Sequence, residues 1–157
     1  MTHLTKFSFG ATSAVITSLA FIIGLSSTIN PKMTIIGTLA VFAIADNISD
    51  SLGIHIFQES DLKKSKVVRN STFSNFFTRV SVTMVFILLV ALFPIAYSIM
   101  LSVIWGFFLL TVLSYYIAKE QKVNPYKAIL QHAAIALVVI IATLFFREWI
   151  MNIFIKI

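Results

Sequence analysis

Residues 33–61 read MTIIGTLAVFAIADNISDSLGIHIFQESD, an apolar run that carries on through two acids. Four of the chain's six acidic residues lie in it: Asp46, Asp50, Glu59 and Asp61. On an α-helix, at about 100° per residue, Asp46 and Asp50 stand one turn apart with Asn47 and Ser51 flanking them. Ala40, Val41, Ala43, Ile44, Leu52 and Ile56 surround this polar strip. A carboxylate at membrane depth costs about 2.5 to 3.5 kcal/mol on insertion scales, so two on one helix require a compensating partner or a water-filled cavity. The expected partner is a cation.

The rest of the chain has the same character. Of its 157 residues 59% are hydrophobic and only 11% charged, with a mean hydropathy of +0.96. A soluble domain of this size needs more polar surface, so the composition predicts an integral membrane protein embedded in a lipid bilayer. The net charge of +6 comes from lysines and arginines between apolar runs, the pattern that sets membrane topology and not that of a nucleic-acid partner. No cysteine is present, which excludes a disulfide framework and a thiolate metal site. The first apolar run is too long for a cleavable signal peptide and lacks a small-residue cleavage site.

Five spans are predicted, in an all-α polytopic protein with one transmembrane domain. Residues 7–29 carry no charge over 23 positions, enough to cross a hydrocarbon core of about 30 Å. Within them Gly10, Ser13, Thr17, Ala20 and Gly24 form a stripe of small residues suited to close helix approach. Asn30-Pro31 turns the chain into a second span, 33–59. A basic loop is expected at 60–79, with Lys63, Lys64, Lys66, Arg69 and Arg79. Residues 80–118 then run for 39 positions without a charge, a hairpin of spans 80–96 and 99–118 about Pro94. A second basic loop leads to Asn124-Pro125, which caps a fifth span at 126–146, and Arg147, Glu148 and Trp149 anchor its far end at the interface. Nine of the twelve Lys and Arg residues fall on the amino-terminal side of this topology. The positive-inside rule therefore puts the amino terminus in the cytoplasm and the carboxy terminus outside or in a lumen, in a prokaryotic inner membrane or an organelle membrane.

The segments FGATSAVITSLAFIIGL (9–25), AIADNISDSLGIHIFQESD (43–61) and VNPYKAILQHAAIALVVIIATLF (123–145) together resemble the first, second and last helices of the vacuolar iron transporter (VIT) family. In the second, Ser49 and Gly53 fall on the family's Ser and Gly. The resemblance implies a VIT-like five-helix protomer, a homodimer with its first helices near the two-fold axis, and export of ferrous iron or manganese from the cytosol in exchange for protons. The chain departs from the pattern at the acids. Ser13 stands where the family has an intramembrane Asp and Thr12 where it has Asn. Asp50 stands at a Met position and Ile54 at a Glu position. The long cytoplasmic metal-binding insertion after the second helix is missing.

On this reading Asp46 and Asp50 carry the divalent metal as transported substrate, or its counter-proton. Asn47, Ser51, Ser13 and Thr17 supply neutral oxygen donors, since hard cations favour oxygen ligands. Glu59 and Asp61 sit at the cytoplasmic mouth, where a solvated salt-bridge cluster is the plainer account. The competing reading of Asp46 and Asp50 is a pair that only fixes helix packing, which gives a transport-inactive membrane scaffold or regulatory subunit. A third reading, movement of lipid or a small molecule along an apolar groove, makes the acids dispensable. His55 lies about 180° from Asp46 on the same helix and is expected at an interface. His132 and Gln131 are expected to bond between helices. The sequence contains no phosphate-binding loop, nucleophile–base constellation or zinc-enzyme motif, so no enzyme activity and no tightly bound cofactor are expected.

Overall fold

The computed structural model describes the backbone of residues 3–60 and 65–154 and the side chains of 10–57, 59–60 and 68–153. The described residues form five α-helices: α1 (His3–Gly24), α2 (Pro31–Ser60), α3 (Ser65–Leu92), α4 (Ile95–Glu120) and α5 (Pro125–Phe154). Four stretches, Pro31–Phe57, Val68–Leu92, Ile95–Glu120 and Pro125–Ile153, are long and apolar enough to cross a membrane. The all-helical, membrane-type architecture expected from composition is therefore present.

The helix ends follow from local chemistry. The apolar run of α1 extends to Ile29, but the helix stops at Gly24, where Ser26 and Thr28 donate their hydroxyls to the carbonyls of Ile23 and Leu25. Such side-chain bonds compete with helix continuation. Pro31 opens α2 at a position where its missing N–H costs nothing. Pro94 breaks the long uncharged run as expected, and the fully buried Ser98 hydroxyl lies within 3.1 Å of the Leu89, Phe93 and Pro94 carbonyls at the end of α3. Asn124 Oδ1 accepts from the Tyr126 N–H at 3.0 Å, capping α5 as predicted. At the end of α4, Val123 N–H bonds to Ala118 O and Lys122 N–H to Lys119 O. This is a Schellman closure that holds Lys122 at φ 56°.

One boundary departs far from expectation. The span predicted at 80–96 belongs to a helix that begins at Ser65, so most of the supposed basic loop 60–79 is the first part of α3. The criterion of a charge-free run cut the helix at Arg79, because a lone sequence pattern does not reveal that this arginine has acidic partners. Asp61, Lys63 and Lys64 lie outside the described residues.

Two hairpins, α2–α3 and α4–α5, flank α1, which packs against every other helix. Val15, Leu19 and Ile22 of α1 meet Ile35 and Leu39 of α2, Phe86 and Val90 of α3, Leu110 of α4 and Ala136 of α5 in one core. Small residues set the approach distances. α4 turns the buried stripe Ser98, Ser102, Gly106, Leu110, Ser114 and Ala118 inward, four residues apart throughout. A Cβ on Gly106 would sit 2.8 Å from Leu19 Cδ1, and one on Gly10 would sit 3.0 Å from the backbone oxygen of Asn75 in α3. Packing of this kind, not apolar burial from water, holds helices together in lipid.

Candidate functional site

The same period of four is written on α2 and α3. Ile35, Leu39, Ala43, Asn47 and Ser51 are the buried line of α2; Ser71, Asn75, Arg79 and Thr83 are a buried polar line on α3. Where the two lines cross, the Arg79 guanidinium reaches both aspartates of α2, pairing through one terminal nitrogen with Asp46 Oδ2 and through the other with Asp50 Oδ2. Arg79 is 3% exposed, whereas the two carboxylates keep about a third of their surface, 32% and 34%. The positive charge beside these acids is thus a side chain of the protein itself, where the sequence reading expected a transported cation. Arg is suited to this position because its planar fork can engage two carboxylates at once. Two carboxylates against one guanidinium leave the ionised triad with one negative charge.

The neutral donors expected around the acids separate into two groups. Asn47 is buried and donates its amide to the Ala43 carbonyl of its own helix. Thr17 of α1 lines a cavity with Ser18, Asp46, Asn47, Arg79 and Thr83. That cavity measures only about 10 Å³, the room that about one water needs. Ser13 is half-buried and is not among the residues lining it. Ser51 is buried one turn beyond Asn47 on the same line, but it lines an outer groove and not this cavity. Glu59 is 74% exposed, with its carboxylate 3.9 Å from His55 Nε2 one turn back, a solvated contact. Asp61 lies outside the described residues. Among the described residues no group of three or more His, Asp or Glu is placed to hold a metal ion.

The sequence reading missed Arg79, Thr83 and Asn75 as members of this seam. A signal for them exists: Ser71, Asn75, Arg79 and Thr83 recur every four residues ahead of an apolar run, which puts them on one helix face. His55 and His132 behave as interface residues. Ser114 Oγ of α4 lies 2.5 Å from Leu110 O and 2.7 Å from His132 Nδ1 of α5. Its single O–H goes to the carbonyl, so the histidine N–H donates to the hydroxyl. His55 approaches Thr72 of α3 at 3.5 Å. Arg147 ties α5 to the end of α1 through Ser26 Oγ at 3.2 Å and pairs with Glu148 at 2.7 Å. Comparison of the chain with protein-family profiles, characterised proteins and solved structures gave no match.

Proposed function

We propose that this chain is a five-span membrane scaffold or regulatory subunit, in which the Asp46–Arg79–Asp50 triad locks α2 to α3 and does not carry an ion. The observation that carries the reading is the buried guanidinium held by both acids. A dication at the triad would have to share carboxylates that Arg79 already occupies, and about 5 Å from the guanidinium it would meet a repulsion of roughly 7 kcal/mol at an effective dielectric constant of about 20, set against the attraction of the two acids. The cytoplasmic amino terminus belongs to the same proposal. With Arg79 inside the membrane, Lys6, Lys63, Lys64, Lys66, Arg69, Lys119, Lys122 and Lys127 remain on one side, against Lys32, Arg147 and Lys156 on the other.

The second reading is the VIT-like homodimeric exporter of iron or manganese with proton exchange. It is favoured by the uncompensated negative charge of the triad and by the oxygen-bearing side chains of Thr17, Ser18 and Thr83 on the adjoining cavity. In that reading a proton or metal displaces Arg79 from one acid. Manganese flux into proteoliposomes decides between them. The scaffold expectation is flux equal to protein-free liposomes for wild type, Asp46→Asn and Asp50→Asn alike. Flux in the wild type that disappears in both folded variants would establish the exporter.

A further inference from the structure

A groove of about 440 Å³ opens on the outer face of the α2–α3 hairpin, within the size range of small-ligand sites. Ile48 and Leu52 of α2 and Phe73, Phe76 and Phe77 of α3 form its apolar walls. Three polar groups interrupt them. His55 and Thr72 face one another across the groove. Deeper in, Ser51 is 5% exposed and its hydroxyl has no hydrogen-bond partner. A buried hydroxyl left without a partner is costly in an apolar setting, which points to an acceptor supplied from outside the chain.

A cation stands just beyond the groove. Arg69 is exposed and lies on the same face of α3 as Phe73, Phe76 and Phe77, one turn nearer the helix start. At 1.5 Å per residue it stands about 6 Å above Phe73 and about 12 Å above Phe77. Along this side of the hairpin a cation near the start of α3 therefore stands just beyond the residues that line the groove, and the hydrogen-bonding groups follow it among the aromatic side chains. Among the described residues the acid nearest this end is Glu59, whose carboxylate lies 3.9 Å from His55 of its own helix.

We propose that this groove binds one anionic phospholipid of the bilayer, with its phosphate on Arg69, an ester carbonyl accepting from the Ser51 hydroxyl, and an acyl chain along Phe73, Phe76 and Phe77. A second copy of the chain fits less well, since the end of the site beside Arg69 is cationic and its middle needs an acceptor. None of Asp46, Asp50 and Arg79 lines the groove.

The test uses a Phe73→Trp variant in phosphatidylcholine bilayers, with the parent protein's fluorescence subtracted. Phosphatidylglycerol with brominated chains should quench the new tryptophan at an about five-fold lower mole fraction than brominated phosphatidylcholine, the preference that one basic residue near the surface supports. Arg69→Gln in the same background should abolish that preference and leave the quenching itself. Equal quenching by the two lipids, or a preference that survives Arg69→Gln, overturns the proposal. So does loss of quenching by both lipids as the protein-to-lipid ratio rises, which would place a second copy in the groove.

Discussion

Arg79 is bound to a two-to-one charge imbalance, and that imbalance makes the consequences of substitution asymmetric. Asp50→Asn leaves a neutral Arg79–Asp46 pair, so a loss of about 1 kcal/mol is expected. Arg79→Gln strands two carboxylates with no counter-ion, and the double change Asp46→Asn with Asp50→Asn strands the guanidinium. Each should cost about 3–5 kcal/mol, the usual result of removing one side of a buried ion pair. Replacing all three, as Arg79→Met with Asp46→Asn and Asp50→Asn, should recover most of the loss, because the desolvated charge has gone from both sides. Denaturant titration in mixed micelles measures all four. Equal losses for Asp50→Asn and Arg79→Gln would show that the triad is not the unit described.

At the scale of the element, α4 ends with a lysine where glycine is usual. Lys122 holds φ 56° so that the Val123 and Lys122 amides can close on Ala118 and Lys119. The left-handed conformation costs a side-chain-bearing residue about 1–2 kcal/mol. Lys122→Gly should therefore raise stability by about 1 kcal/mol, read as a higher melting temperature in detergent. An unchanged or lowered value would mean that this closure is not maintained. α2 shows a related economy. Gly37 and Gly53 sit in the helix with open space where a Cβ would project.

Across the whole molecule the glycines rank by what they face. Gly10 lies against the α3 backbone at Asn75, which cannot move aside without separating α1 from α3; Gly106 lies against the flexible tip of Leu19. Gly10→Ala should destabilise by about 2–3 kcal/mol and Gly106→Ala by about 1 kcal/mol, spanning the usual cost of overpacking. Gly37→Ala and Gly53→Ala should each gain about 0.5–1 kcal/mol from helix propensity alone. Melting temperatures of the four variants test the ranking. An inversion of Gly10 and Gly37 would contradict the central position of α1.

Hydropathy and the placement of proline determined a great deal unaided: an all-helical membrane-type chain, turns at Asn30-Pro31, Pro94 and Asn124-Pro125, and a need for positive charge beside Asp46 and Asp50. Those features are local, set by backbone chemistry and by the cost of a carboxylate in hydrocarbon. The source of that positive charge was a matter for the tertiary structure. Arg79 stands 33 positions after Asp46, and it looks like a loop residue until α3 is laid antiparallel to α2 and the guanidinium meets both acids. The same fold leaves Ser51 out of the small cavity at the triad and places it in the lining of the outer groove. Which side of a helix is covered depends on the helices around it, and in lipid every side is apolar enough that the sequence leaves this choice open.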